Sequence, residues 1–126
     1  MKMAFPIVLA LSLAALYSVS AQSAGTMLNT SGSIIVDAQG KTVYTFDKDV
    51  ANSGKSECNA GCDTSWPPVI AEAGAQPSGN LSIVTREDDR AQWAYKGKPL
   101  YYFAKDMKAG DKKGDKVRDL WHVVTP

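Results

Sequence analysis

Asp49 and Asp106 stand at the same place in two copies of one phrase, each five positions after a tyrosine, Tyr44 and Tyr101. Two carboxylates facing one cleft lined by those tyrosines could serve a cation or a sugar, since paired carboxylates are the machinery of glycoside hydrolysis. The competing reading is local. Each aspartate would cap the turn beyond its strand by accepting backbone N–H bonds. Spacing does not choose between a shared site and two caps.

Cys58 and Cys62 are the whole thiol inventory. In an oxidising compartment an even pair reads most simply as one disulfide, here closing the short loop Asn59-Ala60-Gly61. Thiol-disulfide oxidoreductases carry Cys-x-x-Cys on a helix N-terminus, whereas this pair has three intervening residues. Left reduced, the pair could join His122, the only histidine, and Met107 or Met27 in a copper or haem site. There is no His-x-x-x-His and no Cys-x-x-Cys-His attachment sequence for haem. The expectation is a Cys58–Cys62 disulfide with no metal and no cofactor, and copper or haem as the alternative.

Two other chemistries are weaker. Asp106, Asp111, Asp115 and Asp119 suggest calcium, but Lys105, Lys108, Lys112, Lys113 and Lys116 interleave with them and the EF-hand pattern is missing. The segment reads as a solvated, charge-balanced loop, long enough to touch a partner. Serine, aspartate and one histidine occur without a Gly-x-Ser-x-Gly context, so no hydrolytic triad is assigned and no enzyme is expected.

The elements that must position these residues come from a repeat. Gly40-Lys41-Thr42-Val43-Tyr44-Thr45-Phe46-Asp47-Lys48-Asp49 returns as Gly97-Lys98-Pro99-Leu100-Tyr101-Tyr102-Phe103-Ala104-Lys105-Asp106. A tryptophan segment follows each copy, Trp66-Pro67-Pro68-Val69 and Trp121-His122-Val123-Val124. In a strand Tyr44 and Phe46 share a face, as do Tyr101 and Phe103, and Trp66, Trp93 and Trp121 join them as core tryptophans. Runs rich in Ile, Val, Thr and aromatics predict strands at 33–36, 42–46, 81–85, 92–95, 100–103 and 121–124. The first two are expected to form a hairpin across Asp37-Ala38-Gln39-Gly40, and a helical turn is expected within 57–64, stopped by Pro67 and Pro68. Residues 22–29 read as a flexible lead-in, and His122 as pointing outward. The prediction is a mainly β domain at 22–126, two repeats at about 33–70 and 81–126. They would form a small antiparallel sandwich or open barrel with internal pseudo-two-fold symmetry and little helix.

Residues 1–21 read as a signal peptide. Lys2 precedes an apolar run from Ala4 to Val19, and Val19-Ser20-Ala21 suits cleavage after Ala21. The run is shorter than the roughly 20 residues that span a bilayer, so no stable membrane insertion is expected once it is removed. Lys2 is the only charged residue of that segment, leaving 13 Lys+Arg against 13 Asp+Glu in the remainder. A balanced chain has no electrostatic reason to seek nucleic acid. A periplasmic or secreted bacterial protein is the expectation.

The doubled Tyr-x-(Phe/Trp/Tyr)-x-x-Asp motif, with Cys58-x-x-x-Cys62 leading to Trp66-Pro67-Pro68, resembles a bacterial family described as a secreted repeat of unknown function. That family is also described as predicted lipoproteins. The resemblance covers nearly all of the chain after residue 21 and implies export and a repeat fold, with no established activity. Unlike lipid-anchored members, this chain has no cysteine near the cleavage site. Three functional classes follow in order: a binding or interaction module of the cell envelope that takes an envelope protein or a small ligand; a metal or electron-transfer accessory protein; and an enzyme using Asp49 and Asp106. Any function beyond the scaffold is expected where the copies differ, at the cysteines and the 106–119 loop.

Overall fold

The computed structural model describes residues 28–126. The expected signal peptide, its cleavage site and Met27 lie outside them. Within the described residues the chain is mainly β and every strand pair is antiparallel. Strands β1 (Leu28–Ser31), β2 (Ile34–Asp37) and β3 (Tyr44–Phe46) precede one helical turn, α1 (Cys62–Ser65). Strands β4 (Leu81–Thr85), β5 (Ala91–Tyr95), β6 (Lys98–Pro99) and β7 (Trp121–Val123) follow, with a tight turn at Val117–Asp119 before β7. They form three small sheets, β1-β2, β3-β7 and β4-β5-β6, and no closed barrel. None of the described helices is long and apolar enough to cross a membrane.

Local chemistry explains the hairpins. β5 turns into β6 through Lys96-Gly97, both at positive φ (52° and 85°), the conformation of a type I′ turn that matches strand twist. In β4-β5, Ile83 lies opposite Trp93, a β-branched and aromatic pair of the kind that stabilises sheets. The expected hairpin of 33–36 with 42–46 is reduced to one bridge, Val36 with Thr42, around a turn whose Gln39 and Lys41 N–H groups bond Asp37 Oδ1. β2 pairs instead with β1, of which Leu28 and Asn29 belong to the expected flexible lead-in. The second hairpin is also shorter than expected, because β5 pairs with Lys98–Pro99 and only Leu100 continues it, donating to Trp93.

The strand left over from the first repeat, β3, pairs with β7 from the second, setting Phe46 opposite Trp121. The physical reason is burial. A lone β3 hairpin would leave Tyr44 and Phe46 against water, whereas pairing across the repeats buries both. The core then divides. Ile35, Val43, Val69, Trp93, Leu100 and Val124 form an aliphatic cluster around Trp93. Tyr44, Phe46, Cys58, Trp66, Tyr101 and Trp121 form an aromatic one.

Candidate functional site

The aromatic cluster is built around a local two-fold axis. Tyr44 and Tyr101 face each other as an isolated antiparallel bridge, and each backbone N–H donates to the other's carbonyl, at 2.8 and 2.9 Å. Their side chains then cross. Tyr44 Oη donates to Asp106 Oδ2 at 2.5 Å, and Tyr101 Oη donates to Asp49 Oδ2 at 2.8 Å. The other oxygen of each carboxylate accepts a backbone N–H from the following loop: Glu57 onto Asp49 at 2.7 Å, Lys113 onto Asp106 at 2.9 Å. Each aspartate thus holds the turn beyond its own strand and the tyrosine of the other repeat. The cross-repeat half of this arrangement has no signature in local spacing.

Burial sets the titration of these groups. It pushes Tyr44, Tyr101 and Tyr102 well above the ordinary tyrosine value, helped by the neighbouring carboxylates of Asp106, Asp49 and Asp37. Desolvation also lifts Asp49 above the ordinary carboxylate value, against the Glu57 N–H, the Tyr101 hydroxyl and Lys98, which pull it down. A tyrosine whose folded pKa is raised holds its proton longer folded than unfolded. The stability it contributes is complete below the unfolded value, near 10, and falls as pH rises from there towards the folded pKa. Alkaline unfolding beginning above about pH 10 is therefore expected, with tyrosinate absorbance of three residues appearing in the same transition. Tyrosinate rising smoothly before any loss of structure would contradict it.

The motif phenylalanines and the two tryptophans continue the symmetry as a stack of four rings. Phe46 lies on Trp121 (centroids 4.1 Å), Trp121 on Trp66 (3.8 Å, interplanar 1°) and Trp66 on Phe103 (4.2 Å), so the repeats alternate along it. Tyr44 meets Trp66 edge-on at 5.6 Å and Tyr101 meets Trp121 likewise at 5.2 Å. Gly114 closes one side. A Cβ there would come within 2.9 Å of Trp66 and of Tyr44, and its N–H donates to Tyr44 Oη. Gly114→Ala is expected to cost about 1–3 kcal/mol by overpacking, read as a lower urea midpoint; an unchanged midpoint would mean that the stack yields easily.

Along this stack runs a groove of about 510 Å³. Phe46, Trp66, Phe103 and Trp121 all line it, together with Lys48, Lys105 and Arg118, and no Asp or Glu is among its walls. Lys48 and Lys105 occupy the same position in the two copies of the phrase. Arg118 is carried by a turn in which Lys116, Arg118 and Asp119 all have positive φ (68°, 55° and 56°). Such backbone is costly for residues with a side chain and persists only where its surroundings hold it. Here Lys116 N–H bonds Trp121 O and Leu120 N–H bonds Val117 O.

The remaining candidates are dispersed. Cys58 and Cys62 are joined as a disulfide with Cα atoms 5.1 Å apart, so their thiolates are not on offer, although Cys62 edges the groove. His122 is half-exposed and its Nε2 lies 2.8 Å from Asp47 Oδ2. Met107 is 78 % exposed on a loop. No three His, Cys, Asp or Glu side chains gather as a metal-binding group among the described residues. The 106–119 loop is more ordered than a solvated connection. Asp111 caps the Met107 and Lys108 N–H groups, Asp115 accepts from Val123, and Lys108–Asp111 at 3.7 Å is its one ion pair among the described residues. Trp93 lies in the aliphatic cluster, away from the stack.

Lys48, Lys105 and Arg118 were not among the residues that sequence reasoning singled out. The signal available for two of them was a lysine at one position of both copies; for Arg118 there was none. The buried Arg86 was missed as well. Comparisons with curated proteins and with solved structures find no match. A family described as a secreted repeat of unknown function matches twice, at residues 25–70 and 82–125. These two segments span most of the chain and meet in the Tyr44–Tyr101 pair, and the protein belongs to that family of secreted repeats.

Proposed function

We propose that this secreted repeat is a binding module of the cell envelope whose binding face is the groove over the four-ring stack. The observation that carries the reading is the groove itself: a 510 Å³ recess where four aromatic rings from both repeats meet three cationic side chains. Sites for small ligands are typically concave and largely apolar, with a few placed polar groups that orient the guest. The motif carboxylates are occupied otherwise, each by a tyrosine hydroxyl and a backbone N–H. That favours recognition over carboxylate catalysis, and the module acts without a metal, a cofactor or a covalent step.

The protein supplies its own reporters. Trp66 and Trp121 line the groove and Trp93 belongs to the other cluster. In a nitrogen–proton NMR screen of small molecules against the folded protein, hits are expected to move the Trp66 and Trp121 indole signals and leave Trp93 in place. Hits that move Trp93, or backbone signals remote from the groove, while sparing the other two indoles would sink the proposal.

A further inference from the structure

We infer that the guest of this groove is a planar organic anion, an aromatic or similarly flat apolar body bearing carboxylate, sulfonate or sulfate. The inference rests on the groove being the binding face and concerns what it selects. Aromatic recesses are often cation sites, because the face of a ring carries the negative lobe of its quadrupole. Here the stack uses up the faces of its two inner rings, the indoles. Both faces of Trp121 are covered, by Phe46 and Trp66, and both faces of Trp66, by Trp121 and Phe103. What the indoles can present to the groove is their edges, and ring edges carry the positive lobe.

The charged side chains point the same way. Lys48, Lys105 and Arg118 line the groove, and none of them is in an ion pair among the described residues. Of the acids nearest in sequence, Asp47 bonds His122, Asp63 pairs with Arg86 and Arg90, and Asp119, beside Arg118, is not among the groove's walls. Edge-on indoles and three cations held in no ion pair among the described residues make a site complementary to negative charge on an apolar body. An inorganic anion would use the cations and leave the apolar floor wet; a neutral ring would use the floor and ignore the cations. A planar anion uses both. Lys48 and Lys105 are related by the repeat, so an anion charged at both ends engages each in an equivalent way.

Three naphthalene probes of similar size test this: the 2,6-disulfonate, a neutral naphthol and a trimethylammonium derivative. Each is titrated into the folded protein at low ionic strength, with the Trp66 and Trp121 indole signals as readout. The disulfonate is expected to bind at least about tenfold more tightly than the other two and to weaken as salt is raised. The combined variant Lys48→Gln, Lys105→Gln, Arg118→Asn should lose that preference while still binding the naphthol; asparagine tolerates the left-handed backbone at 118. Equal binding of disulfonate and naphthol, or tighter binding of the cation, would overturn the inference and leave the groove as a binding face. If none of the probes moves either indole, the inference and the binding-module reading fall together.

Discussion

Arg86→Met is expected to destabilise the protein by about 3 kcal/mol, a large share of the 5–15 kcal/mol that holds a domain folded. The Arg86 side chain has no exposed surface. Nη1 of the guanidinium donates to Ser56 Oγ at 3.1 Å and Gln92 Oε1 at 2.9 Å; Nη2 donates to Cys58 O at 2.9 Å and Asp63 Oδ2 at 3.0 Å. Methionine fills similar volume and supplies no donor, so a buried carbonyl and a buried amide oxygen lose their partners. Asp63 is 21 % exposed and keeps Arg90 at 3.6 Å, which is why the expectation sits at the lower end for a broken buried ion pair. Arg86→Lys should recover little, because one ammonium cannot serve acceptors arranged for a fork. Urea unfolding reads the loss. Hydrogen exchange should place it in residues 56–65, the disulfide segment of the first repeat, which Arg86 ties to the second. A loss under 1 kcal/mol with unchanged exchange would mean that the network is incidental.

Arg86 also shows where the sequence stops being informative. It stands in Arg86-Glu87-Asp88-Asp89-Arg90, a run that reads correctly as a charged turn between strands. Nothing local says that one of the two arginines turns inward, because apart from Gln92 its acceptors, Ser56, Cys58 and Asp63, come from a segment 23 to 30 positions earlier. The tyrosine–aspartate crossing has the same character. Each motif reads as a strand followed by a capped turn. The first is one, while in the second the turn is capped but Tyr101 makes only isolated bridges. The partner of each hydroxyl is 52 or 62 positions away. The repeat, the mainly β class and the disulfide were legible because they rest on local pattern or on composition. Strand pairing between the repeats was not, since a three-residue strand such as β3 carries too little pattern to name its neighbour.

The groove combines the two kinds of information. Its aromatic floor comes from residues that both copies share, and two of its cations from a shared lysine position. The third, Arg118, comes from the loop in which the copies differ. On the proposed reading of the groove, residues that the copies share and a residue from where they differ act together. Duplicating one motif and closing it on itself produces a ring stack that neither copy could form alone, with the lysines already at its edge.

Trp121→Ala is expected to cost about 4 kcal/mol, most of the stability of a domain at the low end of the 5–15 kcal/mol range. Trp121 is 3 % exposed, sandwiched between Phe46 and Trp66, and touched edge-on by Tyr101. Removing it deletes a large transfer term and opens a cavity at the centre of the stack, where rings held from both repeats have little freedom to collapse. Trp121→Phe keeps one aromatic layer and should lose about half as much. Stacked indoles whose in-plane axes are rotated against each other give an exciton-coupled band in far-ultraviolet circular dichroism, which separates a lost stack from a merely weaker fold. Trp121→Phe should abolish that band while remaining folded, whereas Trp93→Phe, altered in the other cluster, should retain it. If the band survived in Trp121→Phe, Trp66 and Trp121 would not be the coupled pair, and the stack on which the groove rests would have to be redrawn.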